Sequence, residues 1–296
     1  MLKKHKLWTP GMSVTETFSF GGYPPGLVLW VIINQKDFHS ENDGVFYPPR
    51  DGAEVDEANL KEALNPFEVD LRVWSDQKKY EILKSLKGIY DEFDRDPKKY
   101  AGLVILGMSH GINIDGRDYF VTNDCQLLYT EKIADLFHNC YCHGLRNKPK
   151  FYMFNICRGD LPNLEIERMN EDYHKMCNDT NDSVEMSSPH EDEYDGNGEI
   201  SFKKGDYMVV YSTIKGFVSK RHRKNGSIFV RELANSINEL MTQKNNNFVE
   251  MVEHACIATS HRQSSGIVSL QLPEITKTLR APFDLILKGN ITNTKH

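Results

Sequence analysis

Six short apolar runs punctuate the chain: GLVLWVIIN (26–34), EVDLRVW (68–74), AGLVILGMS (101–109), KFYMFNI (150–156), YMVVYST (207–213) and FDLIL (283–287). They are near-continuous rather than alternating, which is the pattern of strands covered on both faces. Segments with three- and four-residue apolar spacing lie between them. In 76–96, Tyr80, Leu83, Leu86, Ile89, Tyr90 and Phe93 recur in this way before Pro97 closes the helix, and 55–64 and 226–243 repeat the pattern. This alternation predicts an α/β fold with a mainly parallel sheet and helices on both faces.

Composition removes several function classes. With 296 residues, 39% hydrophobic and 26% charged, the chain has the length and balance of a soluble protein with a real core. The longest wholly apolar stretch, LVLWVII (27–33), is too short to span a bilayer, so no membrane association is expected. The basic N-terminus lacks the apolar segment of a secretory signal, and six cysteines are too few for a disulfide scaffold; together they predict a cytoplasmic protein with free thiols. HNCYCH (138–143) gathers His138, Cys140, Cys142 and His143, yet no second cluster of matching spacing completes a structural zinc site. We expect no metal and no cofactor.

The net charge of −6 conceals a split. Residues 163–199 hold 12 acidic and 2 basic side chains, a net of −10, which leaves the remainder near +4. No basic stripe with interleaved aromatics is present, so no nucleic-acid partner is expected. Within the acidic stretch, 177–199 has few apolar residues and no period. It cannot bury enough surface to offset its ordering entropy and reads as a linker. The expected organisation is a short extension (1–25), a larger region (26–176), the acidic linker (177–199) and a smaller region (200–296).

Chemistry concentrates at two predicted strand ends. His110 follows the run 101–109 and Cys157 follows the run 150–156. Reactive groups in open α/β sheets gather where strands end. If these two strands are neighbours, an imidazole stands beside a thiol, and the pair can act as base and nucleophile in acyl transfer. A capping histidine and a small core cysteine would account for the same positions.

FNICRGD (154–160) resembles the caspase signature Q-A-C-R-G, and SHG around His110 lies 47 residues upstream, close to the family's spacing. Further similar segments follow in the family's order: GLVLWVIINQKDF, RDGAEVDEANL (50–60), NKPKFYMF, YMVVYST, KNGSIF and LPEITKTL. The resemblance implies a caspase-like fold of the short-prodomain, effector-like kind, with a six-stranded, mainly parallel sheet, since strand-like sequence begins near residue 26. It implies a cysteine endopeptidase that cleaves after aspartate in apoptosis-like signalling and works as a homodimer or as a heterodimer with a related caspase. Cys157 would be the nucleophile and His110 the general acid and base. The backbone N–H groups of Gly111 and Cys157 would form the oxyanion hole. Arg50 and Arg221 stand at the two arginine positions of the aspartate pocket, and a planar, permanently charged guanidinium suits a buried carboxylate.

Four positions depart from the family, among them Ile228 in KNGSIF, where tryptophan is usual. Asn155 replaces the signature glutamine and is one methylene shorter. Lys220 stands where tryptophan is common before the second arginine, and His222 where asparagine is usual after it. The catalytic pair is retained while the neighbouring subsites are altered. The chain is therefore read as a protease made as a zymogen, or as a catalytically weak decoy that pairs with an active relative. Caspase zymogens are commonly cut after aspartate between subunits. Asp195, in DEYDGNG, is the first candidate processing site and Asp182 the second.

Overall fold

The computed structural model describes residues 22–40, 47–159, 205–261 and 271–289. The linker 177–199 and the candidate processing sites Asp182 and Asp195 lie outside the described residues.

One six-stranded sheet organises the molecule. Its strands are β1 (Val28–Asn34), β2 (Val69–Ser75), β3 (Gly102–Met108), β7 (Lys150–Asn155), β8 (Tyr207–Tyr211) and β11 (Glu274–Lys277), in the spatial order β11-β8-β7-β3-β1-β2. All neighbours are parallel except β11, which runs antiparallel to β8. A second, three-stranded antiparallel sheet comprises β4 (Gly111–Ile114), β5 (Arg117–Val121) and β6 (Leu127–Tyr129), and a small hairpin comprises β9 (Arg221–His222) and β10 (Gly226–Ser227).

The continuous apolar character of the central strands has a direct cause. Every residue of β1, β3 and β7 is buried, and the alternation of side chains sends each strand into two cores. Val28, Trp30 and Ile32 face one core with α1 (Ala53–Leu64), α4 (Ile228–Thr242) and α5 (Phe248–His261). Leu29, Val31 and Ile33 face the other, where α2 (Lys79–Arg95) presents Ile82, Leu86, Ile89 and Phe93, and the short α3 (Thr130–Asp135) adds Ile133. Each fully buried aliphatic or aromatic side chain is worth about 1.5–3 kcal/mol. The resulting three-layer α/β/α arrangement matches the fold class expected from the sequence. Among the described residues, no helix is long and apolar enough to cross a membrane.

The sixth strand is not the run expected from the sequence. FDLIL (283–287) contributes two isolated bridges, Asp284 to Asn247 and Leu287 to Phe67, and buries Phe283 and Leu285 in the core. The sheet is completed by β11, whose residues are only half-buried or exposed. An edge strand pairs along one side through its backbone and needs no apolar run, whereas 283–287 is apolar because its side chains plug the core.

Candidate active site

Parallel pairing of β3 with β7 matches Met108 to Asn155, so two residues further on His110 falls opposite Cys157 at the carboxyl ends of neighbouring strands. The close approach of the two segments depends on Gly111. A β-carbon there would lie 2.5 Å from Ile156 Cβ and 2.6 Å from the Cys157 carbonyl oxygen, so any side chain at 111 would push the strand ends apart.

His110 is held by its surroundings. Its Nε2 donates to the Pro48 carbonyl oxygen at 2.8 Å, which fixes the neutral tautomer and leaves Nδ1 as the acceptor. Tyr47 stacks on the ring at 5.4 Å between centroids, and Phe38 packs against it at 4.9 Å. Burial lowers the imidazole pKa, and the charges of Arg50 and Arg221 lower it further against the opposing pull of the Pro48 contact. Burial also pushes the Cys157 thiol up, while a backbone hydrogen bond at Ser219 and the same two arginines act in the opposite direction. Cys157 Sγ lies 3.8 Å from the Ser219 carbonyl oxygen. A lowered imidazole and a raised thiol give a neutral resting pair, with the thiol directed at the Ser219 carbonyl.

A cavity of about 240 Å³ opens beside this pair, lined by Arg50, Ser109, His110, Asn155, Cys157, Ser219, Arg221 and Ser227. Arg50 is 2% exposed. Its Nη1 donates to Asn34 Oδ1, the Gln35 carbonyl and the Met108 carbonyl at 3.2, 2.6 and 3.1 Å, whereas Nε has no partner. Burial and the nearby Arg221 lower its pKa to about 10, so it remains a cation at neutral pH. Half-buried Arg221 enters from the β9–β10 hairpin, with its Nε donating to the Asp51 carbonyl at 2.9 Å. Two guanidiniums and a serine- and amide-rich wall suit an anion with a planar carboxylate.

The structure thus gathers Arg50, His110, Asn155, Cys157 and Arg221 around one space. Lys220 and His222 do not line it. The Lys220 N–H donates to Gln271 Oε1 at 2.8 Å, and exposed His222 uses Nδ1 to accept from the Lys224 N–H at 3.2 Å. Sequence reasoning missed the Pro48 carbonyl, the rings of Phe38 and Tyr47, and the serines Ser109, Ser219 and Ser227. A backbone carbonyl carries no side-chain signature, and single serines give no pattern. The Pro48-Pro49 pair before Arg50 was the one available hint of a rigid segment at the site.

Three comparisons bear on this geometry. A family model described as "Caspase domain" matches residues 28–284. Caspase-3 of Bos taurus is 30% identical over 237 residues, covering 79% of this chain and 73% of that protein. Caspase-6 of Gallus gallus is 28% identical over 192 residues, 64% of this chain and 57% of that protein. The crystal structure of Caspase-1 from Spodoptera frugiperda superposes with a TM-score of 0.68 at 18% identity, covering 91% and 95% of the two chains, and is similar in fold.

Proposed function

The chain belongs to the caspase family of cysteine peptidases, and from that premise we propose that it is an endopeptidase cleaving after aspartate. The single observation that carries the reading is the cavity itself, in which a thiol and a neutral imidazole share walls with two guanidiniums.

In this reading the substrate carboxylate enters between Arg50 and Arg221, with Asn155 on the same wall. The scissile carbonyl is then held over Cys157. Sγ attacks the carbonyl carbon as His110 Nδ1 takes the thiol proton, and the Pro48 carbonyl steadies the imidazolium that forms. Backbone N–H groups of Gly111 and Cys157 receive the oxyanion. His110 then returns its proton to the leaving amine, and water releases the acyl group from sulfur. Lys220 and His222, on the hairpin beside the cavity, bias the flanking subsites toward acidic residues. The same reading makes the protein a cytoplasmic zymogen in apoptosis-like signalling, processed at Asp195 or Asp182 and dimeric with itself or a related caspase.

One observation favours the second reading, a catalytically weak regulator that pairs with an active relative. Asn155 Nδ2 donates to Ser227 Oγ and its Oδ1 accepts from Ser219 Oγ, each at 2.9 Å, which leaves a single N–H for a substrate carboxylate. A panel of fluorogenic peptides ending in aspartate, assayed beside Cys157→Ala and with the chain intact or cut at Asp195, separates the two. Protease function requires turnover that falls by at least about a thousandfold in the variant. No turnover by the cut, folded protein leaves the regulator.

A further inference from the structure

Behind the cavity wall sits a carboxylate that touches no part of the open space. Asp56, on the first turn of α1, is fully buried. Its Oδ1 accepts from the Ser227 backbone N–H and its Oδ2 from the Ser227 hydroxyl, both at 2.6 Å. The fit is close. Gly226 has φ +73°, and a β-carbon on it would lie 2.3 Å from Asp56 Oδ1. The hairpin that carries Arg221 is therefore seated on Asp56.

The hydrogen bonds run on from there in one direction. Burial pushes the Asp56 carboxyl up, and the two Ser227 contacts and the charges of Arg50 and Arg221 oppose it; as the ionised carboxylate it only accepts, so the single Ser227 hydroxyl hydrogen points at Asp56. Ser227 Oγ must then accept from Asn155, and the donor at 2.9 Å is Nδ2. With Nδ2 on that side, Oδ1 faces Ser219, whose hydroxyl donates to it at 2.9 Å. Having spent its hydrogen, Ser219 Oγ accepts from Ser212 Oγ at 2.9 Å. Each orientation follows from the one before, and the series begins at Asp56. One N–H of the Asn155 amide is left over, on a side chain that lines the cavity.

We propose that Asp56 is a positioning residue for anion recognition: it seats the Arg221 hairpin and sets the direction of the Ser227–Asn155–Ser219–Ser212 chain, and so fixes which way the Asn155 amide presents its spare donor. The inference rests on reading the cavity as a carboxylate pocket, and it makes a prediction opposite in sign to simple electrostatics. In Asp56→Asn, Oδ1 still accepts from the Ser227 N–H, but the new amide nitrogen donates to Ser227 Oγ. The whole series then reverses while every member stays satisfied. Removing a negative charge near Arg50 and Arg221 would by charge alone tighten anion binding. Reversal of the amide weakens it.

The test is protection of Cys157 from iodoacetamide in the full chain, followed by mass spectrometry of the Cys157 peptide. The protecting ligands are N-acetylated tetrapeptide acids ending in aspartate or in asparagine. In Asp56→Asn, the half-protecting concentration of the aspartate peptide should rise roughly tenfold, the scale of one hydrogen bond to a charged group. That of the asparagine peptide, and the alkylation rate without peptide, should stay within twofold. Equal or tighter protection by the aspartate peptide in the variant overturns the proposal. If the wild-type protein does not prefer aspartate to asparagine, the carboxylate-pocket reading fails, and the inference with it, a result visible before any variant is made. Should Asp56→Asn fail to fold, Ser227→Ala keeps the backbone anchor and deletes the chain's first hydroxyl. It unlinks the amide from Asp56, so protection by the aspartate peptide should weaken severalfold while that by the asparagine peptide stays within twofold, and an unchanged preference there also overturns the proposal.

Discussion

Strand β7 begins at Lys150, whose side chain is fully buried, and ends beside Cys157. At the Lys150 end each N–H of the ammonium has an acceptor, and burial lowers the Lys150 pKa to about 7. Its Nζ donates to Asn139 Oδ1, the Leu145 carbonyl and the Lys148 carbonyl at 2.8, 3.2 and 2.7 Å. Nearby Asp206, 1% exposed, accepts from Arg280 Nε and Nη2 at 2.6 and 3.0 Å, from Tyr23 Oη at 2.8 Å and from Asn139 Nδ2 at 3.3 Å. The Cys157 end buries charge just as deeply but leaves capacity over. Arg50 Nε has no partner, and Arg50 and Arg221 converge on open space. Burial alone therefore does not distinguish an anchor from a site. A buried ion whose hydrogen-bonding groups are all used holds the fold, and one with groups to spare can hold a ligand.

Substitution at the satisfied end should act on stability alone and have the largest effect. Asp206→Ala removes the buried acceptor shared by Arg280, Tyr23 and Asn139 and should cost about 3–5 kcal/mol of unfolding free energy in a denaturant titration. Peptide turnover per folded molecule should stay within twofold. A loss of turnover without a loss of stability would break the comparison.

At the open end the expected effect is smaller and falls on binding. Arg50→Lys keeps a cation but loses the planar fork. KM for aspartate peptides should rise roughly ten- to hundredfold, equivalent to about 1.5–3 kcal/mol, with kcat much less affected. Steady-state kinetics on aspartate and asparagine peptides check this, because equal losses on both would make Arg50 structural.

The smallest effect concerns protons. The pKa of His110 is lowered and that of Cys157 raised, so the resting pair is neutral and the thiolate forms only on the alkaline side. Alkylation of Cys157 by iodoacetamide should climb only above the ordinary thiol pKa, about 8.5. A rate already at its plateau near pH 6 would indicate a thiolate–imidazolium pair and sharpen the contrast with the fully paired end.

The sequence disclosed these regions unequally, for physical reasons. Strands β1, β3 and β7 were legible because burial on both faces forces apolar runs. β11 was not, since an antiparallel edge strand pairs with β8 through its backbone and needs no apolar run. The β4–β5 hairpin had a usable sign, the Asp115-Gly116 turn with both φ values positive, but its flanking residues do not alternate clearly. At the site, His110, Cys157, Arg50 and Arg221 were legible from the resemblance and meet at one cavity. Asp56 was not, because Glu54, Asp56 and Glu57 together look like the solvated start of a helix, and only its contacts with Ser227 set it apart.

The adjacency of β7 and β8 bears on how a cut chain would assemble. Lys150 to Phe154 pair in parallel with Tyr207 to Tyr211, and α4 and α5 from beyond residue 205 complete the core that α1 begins. A backbone break between 159 and 205 would leave two pieces, each owning strands of the same sheet and each supplying part of the core that α1, α4 and α5 cover. Recovery of the cut protein from denaturant then becomes a second-order reaction, slowing as it is diluted, whereas the uncut chain refolds at a rate independent of concentration.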